Sequence, residues 1–222
     1  SKSNLKLACV NKREACEAAQ KPLRDIIAKI PENGAAFGPL QDSPLIGAVN
    51  EGWIITSTVS FDAAAQQCVT YKHADAPVLA VIAKLLKSIY LHREIREKGG
   101  AYGGLASFGT DSGIFAMASY RDPHVYSTLK TFDKARKYLA PGVFDDSDVT
   151  EAILQVSSDL GKPNTPSMAA RLAFMREITG LTDTDSQAFK LGVLNTDEAR
   201  IIEVAQKYFA DSNPVSRAVI SN

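Results

Sequence analysis

A helical stripe that runs into two glycines and leaves them as two strands is the feature that most limits the folds open to this chain. From Asp75 to Lys98 the apolar residues Val78, Leu79, Ile82, Leu85, Leu86, Ile89, Tyr90 and Ile95 recur at helical spacing and make a wide stripe. Gly99-Gly100 stops it, as where a helix exits through the left-handed region. Ala101–Phe108 and Ile114–Tyr120 then read as strands joined by Gly-Thr-Asp-Ser-Gly (109–113), whose residues tolerate positive φ, so the spacing predicts a hairpin. A stripe this apolar must be covered, and an adjacent hairpin offers a sheet face to cover it.

The flanking segments extend the same pattern. Leu5–Val10 alternates weakly and reads as a short opening strand. Lys12–Ile30 carries apolar residues at Ala15, Ala19, Leu23, Ile26, Ile27 and Ile30, a helix that either starts or kinks at Pro22. Residues 31–52 are rich in Pro, Gly, Asn and Ser and read as a long irregular connection. Trp53–Phe61 is β-branched and aromatic, hence a strand. Asp122-Pro123 closes the second hairpin strand, and a helix over Val125–Leu139 follows. Asp145 or Ser147 can cap a helix over Val149–Leu160, and Thr165-Pro166 opens another to Thr179. Asn195 with Glu198 resembles a capping box for Ala199–Phe209, and Val215–Ile220 is a closing strand. The sum is an α+β fold with one sheet covered by helices. With no internal repeat and no dividing linker, residues 1–222 read as a single domain.

Charge and composition remove whole classes of function. Lys plus Arg number 25 and Asp plus Glu number 25, so the chain lacks the cationic excess that nucleic-acid binding draws on. Pro77–Leu91 is the most apolar stretch, but Lys84 and Lys87 interrupt it and it falls short of the ~20 residues a membrane span needs. It is a core helix, and no membrane partner is expected. Residues 1–14 hold no signal-peptide type apolar run. Cys9, Cys16 and Cys68 are an odd set with no CxxC pair, which fits free thiols in a reducing compartment.

Side-chain chemistry is sparse. The histidines are His73, His92 and His124, neither HExxH nor HxxEH occurs, and the residue one turn beyond His92 is Arg96, which cannot ligate a metal. The chain is therefore expected to hold no metal, and its histidines to be solvated or hydrogen-bonded. Leu-Ala-Ser-Phe-Gly (105–109) lacks the first glycine of a nucleophile elbow and leads into a hairpin instead of a helix. The Gly-Gly-Ala-Tyr-Gly-Gly run (99–104) has the polarity of a phosphate loop reversed, with the helix leading in and the strand leading out. Two readings of it stand. The glycines can simply cap the helix, with Arg96 in solvent and Tyr102 in the core. Alternatively they admit a second backbone, while the Arg96 guanidinium and the Tyr102 phenol position and polarise a peptide carbonyl.

Ile95-Arg-Glu-Lys-Gly-Gly-Ala-Tyr-Gly-Gly104, then Gly113-Ile-Phe, Ser119-Tyr-Arg-Asp-Pro123 and Thr128-Leu, resembles the C-terminal domain of the presequence protease branch of the pitrilysin-type (M16) metallopeptidases. The likeness extends over the whole chain and is strongest from Leu91 to Leu139. It implies a two-layer M16 peptidase-like domain with a mixed, mainly antiparallel sheet. It also implies an enzyme of four related domains closing around a chamber, whose zinc motif lies in the first domain, which this chain does not match.

By that resemblance the last domain supplies an arginine–tyrosine pair beside the metal, here Arg96 and Tyr102. Tyr102 would bond the scissile carbonyl or its oxyanion, Arg96 a substrate carbonyl, and Gly99, Gly100, Gly103 and Gly104 would admit the peptide backbone. The implied partners are unstructured peptides and the N-terminal domains of the same enzyme, with zinc as that enzyme's cofactor. The implied compartment is the mitochondrial matrix in a eukaryote or the cytoplasm in a bacterium. The alternative is a non-catalytic M16-fold scaffold subunit of a processing or respiratory complex. Leu105-Ala106 departs from the family pattern, where a further small residue or glycine is expected. In SYRDP, Arg121-Asp122 reads as an ion pair or turn, or else Tyr120 or Arg121 lines the chamber.

Overall fold

The computed structural model describes residues 5–31 and 47–222. In chain order the elements are α1 (Arg13–Ala28), β1 (Asn50–Ile54), β2 (Phe61–Gln67), α2 (Ala76–Leu86) continued by a π-helical segment (Lys87–Lys98), β3 (Gly103–Gly109), β4 (Ile114–Tyr120), α3 (Tyr126–Tyr138), α4 (Asp146–Gly161), α5 (Pro166–Thr179), α6 (Asp183–Leu194), α7 (Glu198–Tyr208) and β5 (Ser216–Ser221). Two compact units emerge: α1 and α5 belong to one, and all other elements to the second.

In the first unit α1 passes through Pro22 without ending there. Thr165 caps α5 by accepting the Met168 N–H at 3.3 Å, and Gly180, at φ 67°, ends it. Leu5–Val10 is irregular and exposed, which corrects the strand expected there. Its weak alternation gives no face to bury, and a strand without a ladder partner is not stable in water. Of the irregular connection expected over 31–52, residues 32–46 lie outside the described residues.

The second unit is built on a five-stranded sheet of order β1-β5-β2-β4-β3. β1 runs parallel to β5 and the other pairs are antiparallel, so the sheet is mixed and mainly antiparallel, as expected. The single strand expected over 53–61 is two strands: β1 ends at Ile54 and β2 begins at Phe61. β2 (FDAAAQQ) hides from a propensity reading because its inward residues are Asp62, Ala64 and Gln66. The helix over 75–98 is continuous, but its second half widens to i→i+5 pairing.

α6 was not expected at all, since acidic residues and Gly192 interrupt its apolar spacing; that glycine lets Pro77 pack where a Cβ would come within 2.6 Å of it. α7 is capped by Asp197, whose carboxylate accepts the Arg200 N–H at 2.8 Å, and not by Asn195. Asp145 caps α4, accepting the Ser147 and Asp148 N–H groups at 2.9 and 3.0 Å.

Helices cover one face of this sheet. Leu79, Ile82, Leu85, Leu86, Leu91 and Ile95 from α2 and the π-helical segment, Phe132 from α3 and Ile201 from α7 are fully buried with Phe115 of β4. The opposite face carries Phe61, Ala63, Ala65, Ala116, Ala118 and Tyr120, half-buried or exposed. β3 lies at the edge, with the π-helical segment packed on it.

Candidate functional site

Arg96 and Tyr102 flank one turn. The Gly100 N–H donates to the Arg96 carbonyl at 3.0 Å and the Ala101 N–H to the Ile95 carbonyl at 3.1 Å. Gly100 itself sits at φ 75°, the left-handed exit that the two glycines predict. This closure puts Arg96 on the last helical turn and Tyr102 just ahead of β3 (both exposed, Tyr102 to 70%). Neither is in the core, so the reading of Tyr102 as a packing residue does not hold.

The four glycines divide by geometry. A Cβ on Gly99 would come within 2.6 Å of the Ile95 carbonyl oxygen, and one on Gly104 within 2.7 Å of the Leu91 carbonyl oxygen. Together with the positive φ of Gly100, these contacts give three of the four an intramolecular purpose. Gly103 alone would direct a Cβ into space free of neighbours for 4 Å.

Each of the two side chains has a support that motif reading missed. Arg96 Nη1 lies 3.0 Å from His92 Nε2, and His92 Nδ1 lies 3.2 Å from Glu97 Oε1. A guanidinium only donates, so Nε2 accepts and the ring proton sits on Nδ1, facing the carboxylate. The signal was His92 at i−4 to Arg96 and i−5 to Glu97, a pairing that the π-helical winding brings onto one face. Tyr102 leans on Tyr120 edge-to-face at 5.7 Å, and Tyr120 in turn on Phe61 at 5.4 Å.

Beneath Tyr120 lies a buried polar network. Ser60 and Asp122 exchange both main-chain bonds at 2.7 and 2.9 Å. The Asp122 carboxylate accepts the His124 N–H at 2.8 Å and the Thr128 hydroxyl at 2.7 Å. Asp122 therefore forms a turn, one of the readings SYRDP allowed. The Ser60 and Ser119 hydroxyls donate to Asp62 Oδ2 at 2.8 and 3.0 Å, while Asp62 Oδ1 has no partner. Burial pushes the Asp62 carboxyl above the usual range, the hydroxyls pull it down, and the Asp122 charge adds to the rise.

No group of three or more His, Cys, Asp or Glu among the described residues could hold a metal ion. No helix among the described residues is long and apolar enough to cross a membrane. The cysteines are free thiols, and Cys68 is pushed up to about 11, chiefly by burial.

A mixed five-stranded sheet with helices on one face is the fold of M16 peptidase-like domains. The fold has solved counterparts. A protease from Helicobacter pylori matches at TM-score 0.74 with 16% identity, over 96% of this chain and 53% of that one. A Pseudomonas fluorescens structure described as a peptidase M16 inactive domain matches at 0.67 with 14% identity, over 95% and 51%.

Residues 50–218 match the PreP C-terminal domain family, and the chain belongs to that family. The mitochondrial presequence protease of Saccharomyces cerevisiae is 35% identical over 181 residues, 80% of this chain and 18% of that protein. That of Aspergillus fumigatus is 30% identical over 207 residues, 90% of this chain and 19% of its own length. The chain thus spans less than a fifth of either relative.

Proposed function

We propose that residues 1–222 are the C-terminal domain of a zinc-dependent endopeptidase that degrades unstructured oligopeptides, with the zinc furnished by an N-terminal domain of the same enzyme. In this reading Tyr102 donates its phenol proton to the scissile carbonyl oxygen as negative charge develops there. Arg96, held by His92, grips a neighbouring substrate carbonyl, and Gly103 lets the peptide backbone approach the β3 edge. The observation that carries the reading is that both side chains are exposed at opposite ends of one short turn. The relatives are named as mitochondrial proteases, which supports the mitochondrial matrix as the compartment in a eukaryote; in a bacterium the proposed compartment is the cytoplasm.

The test is Tyr102→Phe in the full-length protein. A bond that strengthens in the transition state makes kcat fall by about 10²–10³-fold while KM barely moves. Unchanged turnover would remove Tyr102 from the reaction, and a full-length wild type with no peptidase activity would favour the scaffold reading. The 222-residue chain alone should hydrolyse no peptide; zinc-dependent hydrolysis by it would contradict the division of labour.

A further inference from the structure

We propose that Asp122 is a positioning residue for Tyr102: its buried carboxylate fixes the turn whose carbonyl and ring hold that phenol in place. The inference deepens the reading of Tyr102 as a catalytic group and rests on it for its kinetic arm only. An exposed tyrosine has no packing of its own to set its direction. Tyr102 has two tethers: its N–H donates to the Tyr120 carbonyl at 3.1 Å, and its ring meets the Tyr120 ring edge-on. Wherever Tyr120 is carried, Tyr102 follows.

Tyr120 is the last residue of β4, and the chain immediately after it is strained. Arg121 has φ 53°, the only positive φ at a non-glycine among the described residues. Such a conformation persists only where its surroundings over-determine it, and it clusters where function needs a fixed geometry. Here the constraint is Asp122, 1% exposed. Its main chain is clamped to Ser60 from both sides, and the Ser60 hydroxyl lies 3.0 Å from its carbonyl. One carboxylate oxygen accepts from His124, the other from Thr128 on α3. α3, the turn and Ser60, the residue just before β2, are thereby locked together, and Tyr120 is held at the end of the lock. The arrangement spends two buried oxygens on a surface turn that a glycine at 121 would adopt freely. That expense is accounted for if the position of Tyr120, and through it Tyr102, matters.

The test is a double-mutant cycle in the full-length protein, assayed with a fluorogenic peptide. Asp122→Ala should lower kcat by on the order of tenfold or more with KM little changed, and should cost nothing further when added to Tyr102→Phe. Arg121→Gly added to Asp122→Ala should recover part of the turnover, because glycine adopts φ near 53° without the strain that arginine carries there. Equal losses from Asp122→Ala in both backgrounds would reduce Asp122 to a general stabiliser and overturn the proposal.

Hydrogen exchange gives an arm free of activity. The Tyr102 amide should lose protection in Asp122→Ala while Ala116 and Met117 in β4 keep theirs; an unchanged Tyr102 amide also overturns the proposal. If Tyr102→Phe retains full turnover, the catalytic reading fails and the exchange result alone judges the positioning. Should Asp122→Ala not fold, Thr128→Val removes one donor and serves both arms.

Discussion

Asp62 is a carboxyl with one oxygen fully bonded and the other facing nothing. Its side chain points into the helix-covered side of the sheet, where the charged form has lost its water and gained only two hydroxyl donors. Burial accordingly raises its folded pKa above the unfolded one. A raised carboxyl contributes stability that is complete below the unfolded value and is lost as pH climbs through the folded one. Asp62→Asn keeps an acceptor for Ser60 and Ser119 and has no charge to desolvate. We expect it to raise the stability at pH 7–8 by about 1 kcal/mol, with the gain vanishing toward pH 3. Chemical denaturation of both proteins across that range checks this; a wild type that gains on the variant with rising pH would refute it. Asp62 also marks a limit of motif reading. Nothing around it in FDAAAQQ announces an inward carboxyl, because its role is set by Ser119 and Asp122, about sixty residues away along the chain.

The π-helical segment and β3 meet through Gly104, and this contact sets where Arg96 stands. A Cβ at 104 would collide with the Leu91 carbonyl oxygen at 2.7 Å and press the Ile95 side chain at 3.1 Å. Backbone cannot swing aside as a side-chain tip can, so Gly104→Ala should cost about 2 kcal/mol and shift Arg96 with the helix. Gly103→Ala meets no neighbour, so its melting temperature should stay near wild type while KM for peptides rises in the full-length protein. Thermal melts and steady-state kinetics separate the two; equal destabilisation would show that the glycines act alike. At this scale the sequence was most readable where local chemistry decides: the glycine exit at 99–100, the 109–113 hairpin and the Thr165 cap all stand as expected. It was least readable where distant partners decide. β2 carries alanines and glutamines in a strand because β4 and β5 flank it, and α6 buries only Phe189 and Val193 while Leu191 and Leu194 stay exposed. The glycine-rich frame singles out Arg96 and Tyr102 as candidates and the family resemblance gives them roles, whereas the pairing of His92 with Arg96 and Glu97 depends on the winding of the helix.

At the scale of the molecule, the second unit is tied together by one buried carboxylate at the head of α2. Asp75 accepts from Arg200, from Lys207 at 2.6 Å and from the Tyr208 hydroxyl at 2.8 Å, all three on α7. These bonds join segments more than 120 residues apart. Burial works against the charge, but the Lys207 and Tyr208 bonds and the Lys207 and Arg200 charges outweigh it and hold the carboxyl below its usual range. A depressed carboxyl contributes stability that is full above the unfolded pKa and is lost as pH falls through the folded one. Arg200 and Lys207 keep 33% and 54% of their side-chain surfaces in water, so once unpaired they can turn outward. Asp75→Asn should therefore cost about 3 kcal/mol at pH 7, the low end for breaking a buried pair. The deficit should shrink as pH drops below 4, where the wild-type carboxylate is itself being protonated. The two carboxyls thus pull in opposite directions on acidification, with Asp62 losing a penalty while Asp75 loses a bond. Denaturation midpoints of the two single variants, plotted against pH, should have slopes that differ from wild type with opposite sign. Parallel curves would mean that neither group titrates differently in the folded and unfolded chain.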